Sequence, residues 1–305
     1  MGLVADGGQD TGIWHQIFNF DHYGELLGLV QNSLLAGVLL GLVGGLAGVF
    51  VILRDLPFAV HGISELSFAG ASAALLLGVN IVAGSIAGSL IAAGAIGVLG
   101  VRARDRNSVI GIIMPFGLGL GVLFLSLYKG RAANKFGLLT GQIIAVSTPQ
   151  MAWLVGTSVV VLLALALVWK PLTFASVDPE VAEARGVPVR ALSLAFMLVL
   201  GLAVALCVQI VGALLVLALL VTPAAAAARV TASPVLLPVL SVVFALCAME
   251  GGTLLALGST VPISPYVTTI AFVIYLCCRL AEAWRTRRTP PVALDSPRDR
   301  EQSHT

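Results

Sequence analysis

The sequence predicts an all-α, polytopic transmembrane bundle of about eight to nine spans, and three observations carry that prediction. Hydrophobic residues make up 58% of the 305-residue chain and charged residues only 10%. The mean hydropathy is +1.02. A soluble domain carries roughly 25% charged residues, so a water-soluble fold is excluded. Apolar windows of span length also recur along most of the chain, separated by short loops in which Lys and Arg collect. The net charge of +2 is too small to imply a nucleic-acid partner.

The windows fall near residues 26–53, 57–78, 80–100, 109–128, 150–169, 191–208, 210–228, 235–257 and 265–282. Each is near the ~20 apolar residues that a helical crossing needs. Residues 134–148 are too short and polar to cross and read as a surface or re-entrant segment. If all nine windows cross, Arg54, Arg102, Arg104, Arg106, Lys170, Arg185, Arg190, Arg229, Arg279, Arg285, Arg287 and Arg288 share one side. The positive-inside bias makes that side the cytoplasm, with the chain a multi-pass protein of a plasma (inner) membrane. Lys129, Arg131 and Lys135 run against the pattern. Residues 1–25 carry Asp6, Asp10, Asp21 and Glu25 without Lys or Arg, which suits an external arm, and no cleavable signal peptide is expected. Residues 283–305 are polar and charged and read as a disordered cytoplasmic tail.

Within the spans, the runs at 41–48 and 84–94 repeat Gly, Ala and Ser at near-helical spacing. Small residues let helix backbones approach closely in lipid. Cys207, Cys247, Cys277 and Cys278 lie in apolar segments without CxxC spacing and read as small hydrophobes.

His61 and Glu65 stand four residues apart in a stretch otherwise almost wholly apolar or small. Positions i and i+4 share one helix face, and Ser64, Phe68 and Ser72 fall on or beside it. Ionisable groups are expensive in hydrocarbon and usually line a bundle interior or a wet path. Imidazole nitrogen and carboxylate oxygen are also metal ligands. The pair therefore reads as a cation site in a transporter, with Ser64 beside it; a polar pair that only fixes helix packing is the alternative. Two ligands are too few for a transition-metal site, whereas a two-fold dimer supplies an N2O2 set, which favours a homodimeric pore. Imidazole–carboxylate sets suit Zn²⁺, and also Mn²⁺ or Fe²⁺.

Gln209 and Glu250 are the other polar groups at apparent membrane depth and join the pathway candidates. His15, His22 and His304 lie near the termini and read as solvent-exposed or interfacial. A Walker A motif is absent, so ATP hydrolysis by this chain itself is not expected. Residues 177–188 (VDPEVAEARGVP) fall in the largest predicted cytoplasmic loop. Asp178 suits an N-cap, Pro179 the first helical position, and Gly186 with Pro188 a stop. Such a short capped helix would present Glu180 and Glu183 to a cytoplasmic partner.

Four segments together resemble the permease subunits of bacterial metal ABC importers of the zinc/manganese/iron type, the ABC-3 family. They are GVFVILRDLPFAVHGISELSFAG (48–70), IGIIMPFGLGLGVLFLSLY (110–128), DPEVAEARGV (178–187) and QIVGALLVLALLVTPAAAA (209–227). The resemblance covers roughly residues 26–282. It implies a homodimeric permease bound to two ABC ATPase subunits and fed by an extracytoplasmic metal-binding protein. Transported Zn²⁺, or Mn²⁺ or Fe²⁺, is then the substrate, with no permanent cofactor. The 178–187 stretch is similar to the family's coupling helix, with Asp178, Glu180, Glu183 and Gly186 as its marked residues. In many members the pore motif reads Asp-x-x-x-His; here His61 and Glu65 keep the ligand types in reversed order. The residues around Met114 and Pro115 also depart from a Ser-containing version of the motif. A stand-alone proton-coupled secondary transporter, with His61 and Glu65 as a proton relay, is the rival from another class.

Overall fold

The computed structural model describes residues 31–100, 103–130, 137–138, 148–257 and 262–288. In chain order its main helices are α1 (Gln31–Leu53), α2 (Pro57–Leu77), α3 (Ile81–Leu99), α4 (Ala103–Leu127), α5 (Thr148–Val177) and α6 (Pro179–Ala184). There follow α7 (Val189–Val211), a 3₁₀ turn (Ala213–Leu215), α8 (Val216–Leu220), α9 (Thr222–Val230), α10 (Leu236–Leu257) and α11 (Ile263–Arg288). Eight of these, all but α6, α8 and α9, are long and apolar enough to cross a membrane. The arm at 1–25, most of the 134–148 segment and the tail beyond residue 288 lie outside the described residues. Helix α11 runs on through Arg288, past the expected helix end at 282.

Local chemistry sets the helix ends. Asn80 caps α3, its side-chain oxygen accepting from the amides of Val82 and Ala83 at 2.9 and 3.2 Å. Between α1 and α2, Asp55 takes a left-handed φ of 53° and Pro57 opens the next helix. A proline there forfeits no bond, because first-turn amides lack intrahelical acceptors anyway.

The expected span at 210–228 is not one helix. Helix α7 absorbs Gln209, Ile210 and Val211 and stops at Gly212, whose φ of 89° and ψ of 156° cannot continue it. Pro223 then lacks the amide a continuous helix would need, and the chain breaks again at Val221 between α8 and α9. Even so, the segment traverses the bundle. At its start Ser264 Oγ donates to the Val211 carbonyl at 3.3 Å. At its end Arg285 Nη1 donates to the Val230 carbonyl at 3.1 Å, and Arg229 pairs with Glu282 at 3.5 Å. Ser264 and Arg285 stand roughly 30 Å apart along α11 at ~1.5 Å per residue, about one hydrocarbon thickness. The ninth crossing is therefore present but broken.

One cavity gathers the ends of many helices. Leu53 at the end of α1, Arg54 after it, Leu56 before α2, Gly100 after α3, Arg106 of α4, Ser176 of α5 and Ser193 of α7 all line it. By the alternation of the helices, that end of the bundle also holds Arg229 and Arg285, while Lys129 follows the opposite end of α4. Beneath the cavity Phe50 packs edge-on against Trp169 and Phe196, with ring centres 4.7 and 5.7 Å away.

Small residues decide how closely the helices pack. A Cβ built at Gly45 would lie 2.6 Å from Val242 Cα, and one at Gly41 would lie 2.7 Å from Leu246 Cδ2. Helices α1 and α10 therefore meet backbone to backbone, and Ser241 Oγ seals the seam by donating to the Gly45 carbonyl at 2.7 Å. Helices α4, α5 and α11 turn Ile112, Phe116, Leu163, Leu167, Phe272 and Val273 outward, a surface suited to lipid rather than water.

Candidate functional site

Helix α2 lies between α3 and α4, and glycine makes room for its polar stretch. Gly62 faces Ile110, and a Cβ at Gly117 would lie 2.9 and 3.0 Å from the backbone of Leu66 and Glu65. The carboxylate-bearing turn is thus pressed against α4. His61 Nε2 and Glu65 Oε1 stand 3.8 Å apart, too far for a direct hydrogen bond. Two donors that each bind one ion at ~2.0–2.2 Å stand at most about 4.4 Å apart, so the separation admits a shared ion. The Glu65 side chain is 6% exposed and that of His61 29%, so the imidazole is the part reachable from outside one protomer.

The remaining polar atoms of the face divide into used and unused. Ser64 Oγ donates to the His61 carbonyl at 2.8 Å and so is turned back onto its own helix. Ser72 Oγ and His61 Nδ1 are buried without a hydrogen-bond partner. Metal-bound imidazoles usually donate the second ring N–H to an acceptor, and this protomer supplies none. Among the described residues no group of three or more His, Cys, Asp or Glu could hold a metal.

Gln209 and Glu250 are not brought to this pair. Helices α2, α7 and α10 all start at the arginine-bearing end; His61 lies four residues into α2, Glu250 fourteen into α10 and Gln209 twenty into α7. At ~1.5 Å per residue, Glu250 is roughly 15 Å and Gln209 roughly 24 Å farther from that end than His61. Glu250 Oε1 and Gln209 Nε2 are each buried without a partner. The Glu250 carboxylate packs over Gly37 of α1, in the seam where a larger residue would collide with it.

The short helix at 178–187 forms as its sequence asks. The Asp178 carboxylate accepts from the Val181 amide at 3.0 Å, and Pro179 opens the helix. Gly186, at φ 82°, closes it: its amide donates to the Glu183 carbonyl at 2.9 Å and that of Val187 to Ala182 at 3.0 Å. This double bond pattern is the Schellman ending, for which glycine is the usual residue. Ala182 is fully buried, while Glu180 and Glu183 are exposed.

Sequence reading missed two polar features. Ser67 and Ser85 pair across α2 and α3, with Oγ atoms 2.8 Å apart, and no motif marks them. Arg54 and Arg106 line one cavity; their positions were visible only as loop charge, with nothing to show that two arginines about fifty residues apart converge.

Comparison with known proteins now places the chain. The sequence pattern of the ABC 3 transport family matches residues 27–282. The chain belongs to the ABC 3 transport family. The resemblance carried by the four segments is thereby established, and the protein is a multi-pass membrane permease of that family. It is 32% identical to the manganese transport system membrane protein MntC of Halalkalibacterium halodurans over 203 residues, 66% of this chain and 70% of the relative. It is 26% identical to the high-affinity zinc uptake system membrane protein ZnuB of Haemophilus influenzae over 227 residues, 73% of this chain and 86% of the relative. Among solved structures it resembles PsaBC from Streptococcus pneumoniae in complex with Fab, with a TM-score of 0.75 and 28% identity. That likeness covers 84% of this chain and 94% of the other.

Proposed function

We propose that this chain is the membrane permease subunit of an ATP-driven importer of a divalent transition metal, with His61 and Glu65 as its pore ligands. The observation that carries the reading is an imidazole and a carboxylate 3.8 Å apart on one face of a membrane helix, in a chain of the ABC 3 transport family. Two protomers related by a two-fold axis give two His and two Glu, the ligand number a transition metal asks for. The exposed imidazole edge suits completion by a second copy.

Energy comes from a separate ABC ATPase docked on α6, and an extracytoplasmic metal-binding protein delivers the cation. The arginine-bearing end faces the cytoplasm. Manganese is the first metal to test, because the relative named for manganese is 32% identical and the one named for zinc 26%. Zinc is the second reading: imidazole–carboxylate sets serve it equally well.

The deciding experiment measures Mn, Zn and Fe in cells lacking this chain and in the same cells expressing it, with and without the ATPase. Restored content of one metal, dependent on the ATPase, is expected. Unchanged content of all three overturns the importer reading, and uptake that survives ATPase loss identifies a secondary transporter.

A further inference from the structure

We infer that Arg54 and Arg106 form an oxyanion site at the arginine-bearing end of the bundle, one that takes the phosphate of a lipid headgroup or free phosphate. The two side chains line a cavity of about 380 Å³ shared by α1, α3, α4, α5, α7 and the start of α6. A water occupies about 30 Å³ of liquid, so a tetrahedral oxyanion fits there with several waters.

Arg54 is held in place: its Nη2 donates to Ser193 Oγ at 2.7 Å, and its guanidinium lies 6.0 Å from the centre of the Phe196 ring. Ser193 in turn donates to the Val189 carbonyl, and Ser176 to the Leu172 carbonyl. Both hydroxyl protons in the cavity are therefore committed to backbone, leaving the guanidinium N–H groups as its free donors. Arg106 Nε is buried without an acceptor, an arrangement that costs stability unless something fills it. Asp55 lines the same cavity, and no ion pair joins it to either arginine.

Burial first, and then the Arg106 charge, hold the Arg54 guanidinium below its ordinary pKa. Guanidinium forks match phosphate oxygens two at a time. The level is also right, since these residues flank the ends of membrane-spanning helices, where headgroup phosphates lie.

The test uses the full chain purified in detergent. Thermal stability is followed while inorganic phosphate replaces chloride at constant ionic strength. In parallel, short-chain phosphatidylglycerol is compared with phosphatidylcholine, and ³¹P line broadening reports binding directly. Saturable stabilisation by phosphate or by phosphatidylglycerol is expected. Arg106→Gln should weaken it roughly tenfold or more, the loss of one charge-assisted hydrogen bond. Arg54→Gln should do the same, Arg106→Lys should fall between, and Arg229→Gln, outside the cavity, should match the parent. A response to inorganic phosphate identifies a free oxyanion; a response to phosphatidylglycerol alone identifies the headgroup. No saturable response and no ³¹P broadening in the parent chain, or an undiminished response in both glutamine variants, overturns the site. The ³¹P measurement on the parent chain stands even where a variant fails to fold.

Discussion

His61 Nε2 stands 3.8 Å from Glu65 Oε1 on adjacent turns of α2, a gap wider than a hydrogen bond and narrower than two metal–ligand bonds laid end to end. The separation admits one ion bound by both atoms, with the carboxylate buried and the imidazole edge exposed. The proposed pore role follows from that geometry, and it makes the order of the two residues testable.

Replacing either residue with Ala should lower metal affinity roughly 10- to 100-fold or more, since even outer-shell losses at metal sites cost that much. The double change His61→Asp with Glu65→His restores the order common in the family and keeps one nitrogen and one oxygen donor on the same face. It should retain binding that each single alanine variant loses. Uptake and metal binding in membranes separate the outcomes: a single alanine variant with parental affinity and selectivity removes the site from α2.

Much of the fold was legible because lipid leaves few choices. Long apolar windows must be helices, as every backbone group has to bond internally, and eight of the nine windows are continuous helices. The ninth failed as a helix for a reason already present in its letters, since Gly212 and Pro223 both stood in the window. Hydropathy averages over such breaks, whereas backbone dihedrals do not. The His61–Glu65 pairing was readable because i and i+4 are local in sequence. Separation of Gln209 and Glu250 from that pair depended on helix depth, which only the assembled bundle supplies. The Arg54–Arg106 cavity needed six helices to converge and had no local signature at all.

The chain alternation fixes a topology that chemistry can check. Single cysteines placed at 104, 182 and 295, in a background freed of native cysteines, should react with an impermeant thiol reagent only from the cytoplasmic side. A cysteine at position 5 should react from outside intact cells. Labelling of position 182 from outside would invert the bundle and remove α6 from reach of any cytoplasmic ATPase.

Two glycines on different helices should respond oppositely to the same change. Gly45 lies so near Val242 that an added methyl must push α1 and α10 apart and strain the Ser241 bond. Overpacking of this kind costs about 1–3 kcal/mol. At Gly94 a Cβ meets nothing within 4 Å, and Ala there should be neutral or stabilise by up to ~1 kcal/mol through helix propensity. Thermal or denaturant unfolding in detergent distinguishes them. Equal effects at the two positions would mean that the α1–α10 seam is not the tight contact described.

The last expectation concerns energy transfer through α6. Asp178 and Gly186 set the helix ends, Ala182 anchors it, and Glu180 with Glu183 face outward. Anchoring and presentation are therefore carried by different residues and can be changed apart. Asp178→Ala removes a cap that accepts one amide bond, at a cost of about 0.5–2 kcal/mol, so it should loosen α6 without altering its exposed charge. Changing Glu180 and Glu183 together to Lys leaves the caps intact and reverses two charges on the outer face. The double variant should therefore keep its fold and its metal affinity, because His61 and Glu65 lie within α2 while α6 lies beyond the end of α5. It should lose co-purification with the ATPase and, with it, metal-stimulated hydrolysis. Pull-down of the ATPase and hydrolysis in reconstituted membranes read the two effects separately. Full ATPase retention with normal stimulated hydrolysis would place the coupling surface away from α6; loss of metal affinity in the double variant would show instead that the two sites are not independent.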